Sequence, residues 1–337
     1  MKIKVLSRQD LIQILELPKV IEGVEAVYKA KAQGDVIAWP LVEHKFEDGS
    51  LMDIRSGGVF GEVGVHGAKL LNNFPANAAK GLPVFTGVLM SFDSSTGLPT
   101  GVMDASYITS LRTGSAAAIG AAALARKDSK TLLLVGTGLQ SVYMLAATLI
   151  KMPQLEKVIV ADSFRPDSAA AYVETIRDRL EKELGVVCPD VAFEAEMDLR
   201  TAVGKADVII TITRSTVPMI MKDWLKPGTH LSCIGADMKG KEEIDPEIFR
   251  TARSFADDAA QCCAVGEMEI PANMGIISPD RVTAEIGEVL CGMKPGRLTD
   301  EDITVFDATG LAALDLVTAK VAVASANEKG LGQVVEI

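Results

Sequence analysis

The chain has 337 residues, 48% hydrophobic and 23% charged, too long for one hydrophobic core and too apolar for a disordered chain. Its net charge of -11 repels a phosphate backbone and aromatics make up only 5%, which excludes nucleic acid as an expected partner. The N-terminus MKIKVLSRQDLIQIL has no signal-peptide core and no run is long enough to span a bilayer, so a soluble, cytoplasmic protein without a membrane partner is expected.

Taken in chain order, residues 5–35 read as helix, with Ser7 as N-cap and Leu11, Ile14, Leu15, Val20, Ile21, Val24 and Tyr28 at helical spacing. Strand-like runs at 42–46, 50–56, 64–72 and 87–93 are separated by turn signals, as in an antiparallel or mixed sheet. Residues 109–126 form an Ala-rich helix, since Ala has the highest helix propensity. From residue 131 strands and helices alternate: strand 131–135, helix 141–151, strand 157–161, helix 168–183, strand 191–194, helix 198–204, then strands 208–213, 230–234 and 254–257. That succession predicts an α/β fold with a doubly wound parallel sheet. The cysteines (Cys188, Cys233, Cys262, Cys263, Cys291) show no CxxC spacing and read as reduced thiols, the adjacent pair as small residues after a strand. The three histidines have no metal-binding spacing, so no catalytic metal is expected. Residues 310–328 are again an Ala-rich helix, predicted to pack back on the N-terminal half.

Strand TLLLV runs into Gly136-Thr137-Gly138-Leu139-Gln140-Ser141, a GxGxxG turn with Ser in the third glycine position. The first glycine permits the tight turn, the second lets backbone approach a pyrophosphate, and the third position needs only to be small. Helix amides beginning near Leu139 then face the diphosphate. A second strand ends at Asp162, at the spacing expected for a ribose-binding acid. Its carboxylate favours NAD by repelling a 2′-phosphate, while Arg165 can pair with such a phosphate and leaves NADP as the alternative.

Polar groups stand out where a substrate pocket is expected. Lys69 lies in the apolar stretch GVHGAKLLNNFP, and lysine is seldom buried unless paired. Arg112 is read at the start of a small-residue helix, whose N-terminus suits anions. Asp237 follows the strand HLSCIGA at the carboxyl end of the parallel sheet. Asp53 and Arg55, two residues apart, share one face of a strand.

The stretches HGAKLLNNFPAN, GVMDASYITSLRTGSAAAIGAAALAR, VGTGLQS, IGADMKGKEEID, AEIGEVLCGMKPGR and FDATGLAALDL resemble the ornithine cyclodeaminase/mu-crystallin family, in the family's order from about residue 60 to 320. The resemblance implies a homodimer. Residues 1–115 with 311–337 would form the substrate-binding and dimerisation domain, and 116–310 an inserted NAD(P)-binding Rossmann domain. It also implies that Lys69 and Arg112 serve the substrate carboxylate and imine, with Asp237 as catalytic acid/base. Thr113, Ser115, Thr213 and Gly310 would line the cofactor side. Many family members carry an arginine two residues after the proline that is Pro40; this chain has Val42, with Arg55 as the expected stand-in and Lys45 a weaker one. Asp53 matches an acid that in cyclodeaminases faces the substrate's distal amine, here with a side chain one methylene shorter than Glu. The implied activity is an NAD(P)-dependent amino-acid dehydrogenase or imine or ketimine reductase; the alternatives are a cyclodeaminase and a mu-crystallin-like binding protein.

Overall fold

A computed structural model describes residues 1–336, in two compact units: Met1–Arg112 with the residues from Leu311 onward, and Thr113–Gly310. The chain begins with strand β1 (Lys2–Leu6), helix α1 (Arg8–Ile14) and helix α2 (Leu17–Ala32). Strands β2 (Val36–Ala38), β3 (Val42–Lys45), β4 (Leu51–Val59), β5 (Val65–Asn73), β6 (Phe85–Asp93) and β7 (Pro99–Asp104) follow, and then α3 (Ala105–Leu124). The single helix expected over 5–35 is thus a strand and two helices. Ser7 caps α1 as expected, through a capping box with Asp10. Pro18 explains the break after Leu15: it lacks an amide hydrogen and clashes with the preceding turn, so it is tolerated only in the first turn of α2.

The second unit contains β8 (Thr131–Val135), α4 (Ser141–Lys151), β9 (Lys157–Ala161), α5 (Pro166–Leu184), β10 (Ala192–Ala195), α6 (Leu199–Lys205), β11 (Val208–Thr211), β12 (Thr216–Ile220), β13 (His230–Cys233) and β14 (Glu242–Ile244). It continues through β15 (Arg253–Ala256), the short helices α7 (Ala259–Val265) and α8 (Glu269–Asn273), β16 (Ala284–Glu285), α9 (Ile286–Leu290) and β17 (Thr304–Asp307). The chain then returns to the first unit with α10 (Ala312–Lys329) and β18 (Gln333–Glu336).

In the first unit the sheet order is β18-β1-β7-β6-β5-β4-β2, with β3 also on β4. It is mixed because β1 joins β7 in parallel while the other pairs are antiparallel. Helix α10 packs on α2 and on β4 and β5, as its apolar composition requires. Gly67 permits the approach, since a Cβ there would collide with Leu316 and the Met90 carbonyl.

In the second unit the order is β10-β9-β8-β11-β13-β17-β15-β16, parallel throughout. Runs such as TLLLV and VIIT are buried along their length, as strands covered on both faces must be. The chain leaves β8 toward β9 and β10 and then returns to β11 on the other side. That reversal opens the crevice where open α/β sheets bind ligands, and Gly136 sits at its mouth.

Candidate active site

Lys69 occupies an inward position of β5 and is 1% exposed. An unpaired ammonium there would be costly, and it is not unpaired. Its Nζ donates to Asp315 Oδ2 at 2.7 Å and to Thr109 Oγ1 at 3.3 Å. Asp315, equally buried on α10, accepts with its other oxygen from Arg112 Nε at 3.1 Å. One carboxylate therefore holds two cations. Burial lowers the Lys69 pKa to about 8 with help from Arg112 and Arg55, and against the pull of Asp315. For Asp315, burial opposes ionisation, but Arg112 and Lys69 outweigh it and hold the acid below its usual range.

Arg55 lies directly across from Lys69 in the β4–β5 register. Its Nε donates to Asp53 Oδ2 at 3.1 Å, and the buried Asp53 Oδ1 has no partner among the described residues. Val42 pairs with Ile54, on the opposite face from Asp53 and Arg55, and is 57% exposed. It therefore cannot reach the Lys69 face. Lys45 is on the right face but is exposed and paired with Glu43. Of the two expected stand-ins, Arg55 is the one beside Lys69.

Arg112 does not begin its helix: α3 starts at Ala105, where Asp104 Oδ1 accepts from the Tyr107 amide at 2.9 Å. Arg112, Thr113 and Ser115 lie two turns or more further on, so none of them stands at the helix N-terminus. Asp315 joins the site beyond the residues expected from the sequence. The signal was available, as the one acid in the apolar run LAALDLV.

In the second unit Gly136 has φ +110, and a Cβ there would stand 2.6 Å from the Ile212 carbonyl oxygen. A Cβ at Gly138 would meet nothing within 4 Å, so that backbone faces open space, and Leu139 beside it is 85% exposed. The Oε1 of Gln140 is buried with no partner among the described residues. Ser141 opens α4 and donates its hydroxyl to the Gly138 carbonyl at 2.6 Å, which closes the turn as a small polar third residue can. These residues fit a dinucleotide diphosphate.

Asp162 turns its carboxylate toward its own loop. Oδ2 accepts from Thr137 Oγ1 at 2.6 Å and the Thr137 amide at 3.2 Å; Oδ1 accepts from the Phe164 and Arg165 amides at 3.1 and 2.9 Å. Burial opposes its ionisation, but these donors win and its pKa is lowered. Arg165 is largely exposed, 3.8 Å from Asp162. Thr213 donates its hydroxyl to Glu243 at 2.7 Å. Gly310, at φ +87, has its peptide held by Asp257 and Gln261. Asp237 is half-exposed beyond β13 and ion-paired with Lys241.

The family profile for ornithine cyclodeaminase/mu-crystallin matches residues 1–330. The chain belongs to that family. It is 34% identical over 332 residues to an alanine dehydrogenase of Archaeoglobus fulgidus, covering 98% of each chain. The structure of an archaeal alanine dehydrogenase dimer with bound NAD superposes with a TM-score of 0.90 at 33% identity over the whole of both chains. The Δ1-pyrroline-2-carboxylate reductase of Thermococcus litoralis, in complex with NADH and L-proline, gives a TM-score of 0.88 at 28% identity, over 98% of this chain and 99% of that one.

Proposed function

We propose that this protein is an NAD-dependent oxidoreductase acting on the Cα–N bond of a small amino or imino acid. The observation that carries the reading is the buried cluster of Lys69, Arg112 and Asp315 with Arg55 and Asp53 beside it. It holds one more cation than it has carboxylates, the charge needed to bind a single substrate carboxylate. The relatives named above, an alanine dehydrogenase and an imino-acid reductase, support the substrate class.

In this reading the second unit holds the dinucleotide at Gly136, Thr137, Gly138, Leu139, Gln140 and Ser141, with Asp162 and Arg165 toward the ribose and Thr213, Thr113 and Gly310 toward the ring. A nicotinamide held there would supply the hydride acceptor or donor at its C4. Arg112, oriented through its Nε by Asp315, presents the remainder of its fork to the substrate carboxylate. Lys69 neutralises that carboxylate and exchanges a proton at the reacting nitrogen, for which a pKa of about 8 is suited. Asp237 exchanges the second proton with the amine or with attacking water. An amino acid thus loses a hydride and a proton to give the imino acid; water then adds and ammonia leaves, giving the 2-oxo acid. The reverse sequence is imine reduction.

A second reading rests on Asp53. Its unpartnered buried oxygen is an acceptor for a distal ammonium, as a cyclodeaminase substrate would supply. A panel of amino acids with NAD, and of cyclic imines and 2-oxo acids plus ammonia with NADH, separates the two. Net change in NADH absorbance supports the oxidoreductase; proline formed from ornithine without net NADH replaces it with the cyclodeaminase. We also place the protein in the cytoplasm, in keeping with its five free cysteines, as a homodimer. The apolar outer face of the first unit's sheet, with Ile37, Val42, Val88 and Met90 exposed, supports the dimer.

A further inference from the structure

Glu243, on β14, is fully buried and its carboxylate has no cationic partner among the described residues. Its carboxylate accepts four hydrogen bonds: from Thr211 Oγ1 at 2.6 Å, the Thr213 amide and hydroxyl at 2.7 Å each, and the Gly235 amide at 2.9 Å. Those four donors occupy all the acceptor positions a carboxylate has. They come from the carboxyl ends of two neighbouring parallel strands, β11 and β13, where an open α/β sheet binds its ligand. Gly235 is also gripped from its other side, since Lys241 Nζ donates to its carbonyl at 3.1 Å while pairing with Asp237. No side chain fits at Gly235: a Cβ would run into Glu243 and the Thr213 carbonyl. Burying a carboxylate without a cation is costly. Packing alone would be met by an apolar residue, whereas this acid joins the exits of two strands.

We propose that Glu243 is a positioning residue for the cofactor half of the site. It fixes Thr213 and, through Gly235, the Gly235-Ala236-Asp237 turn, so that the dinucleotide surface and the acid/base carboxylate are set by one buried group. The proposal rests on the oxidoreductase reading only for the role of Asp237; the cofactor part stands on NAD binding itself.

The test is Glu243→Gln in the full-length protein, whose amide cannot accept all four bonds. NADH affinity, measured by fluorescence titration without substrate, is expected to weaken about tenfold, the loss of one hydrogen bond to a charged group. A displaced Asp237 is expected to lower kcat about a hundredfold, while substrate KM stays within about twofold because the carboxylate clamp is untouched. Native NADH affinity and kcat in E243Q would overturn the proposal, as would equal losses in substrate KM and kcat, which mark general damage. If E243Q does not fold, Thr211→Val removes the donor that shares Oε2 with the Gly235 amide: weaker NADH binding supports the proposal and unchanged binding overturns it. A native protein that binds NADH yet turns over no amino or imino acid contradicts the activity, not the role of Glu243 in cofactor binding.

Discussion

Asp315 balances Lys69 and Arg112 together, so removing it differs from removing either cation. Asp315→Ala leaves two buried cations facing each other and is expected to cost about 3–5 kcal/mol, read from the urea unfolding midpoint. Lys69→Met removes a desolvated charge and leaves Asp315 paired with Arg112, so its stability loss should be clearly smaller, while turnover falls about a hundredfold or more. Equal stability losses in the two variants would contradict the shared-anion arrangement. The pH dependence follows from the same group. Folded Lys69 releases its proton near pH 8 rather than 10.5. As a proton donor it is competent below about pH 8, so kcat/KM for imine reduction should fall as pH rises through that value, and amino-acid oxidation should gain over the same interval. Between about pH 8 and the unfolded value near 10.4 the unfolded chain binds the extra proton, so this group makes stability rise with pH; Lys69→Met should remove that slope. Lys69, Arg112 and Arg55 were legible as charges in apolar or face-sharing contexts. Asp315 is not legible in this way, because a residue 246 positions from Lys69 enters its environment only through the fold.

At the scale of elements, the parallel strands and the helices between them could be read to within a few residues, because continuous apolar runs and amphipathic periods are strong local signals. The short pieces escaped. Strands β2, β7, β12 and β14 carry little pattern of their own, and β17, TVFD, is a buried strand of four residues inside the second sheet. Helix α3 starts four residues before the Ala-rich run, because Asp104 caps it by accepting from the Tyr107 amide. Gly114 shows what the small residues of α3 are for: a Cβ there would strike the Tyr143 carbonyl of α4. Gly114→Val should therefore force the helices apart, at a cost of about 1–3 kcal/mol measured by thermal unfolding. Gly136→Ala adds backbone strain at φ +110 to a clash with Ile212, and should weaken NADH binding more than it weakens the fold.

For the whole molecule, the two-unit division follows from an insertion that leaves the first unit at Arg112 and rejoins it at Leu311. The outer sheet face of the first unit carries exposed aliphatic side chains on β2, β3 and β6, a surface that water alone covers poorly. Met90→Asp on that face should convert a dimer to monomer in light-scattering chromatography; an unchanged mass would move the interface elsewhere. The proposed reaction is hydride transfer between nicotinamide and the Cα of a small amino or imino acid. Its most direct test is turnover of the best substrate of the panel with NADH deuterated at C4 on either face, followed by mass spectrometry of the product. Hydride transfer to Cα gives one deuterium, located at Cα, from one of the two labelled cofactors. A product formed with no deuterium from either would contradict it.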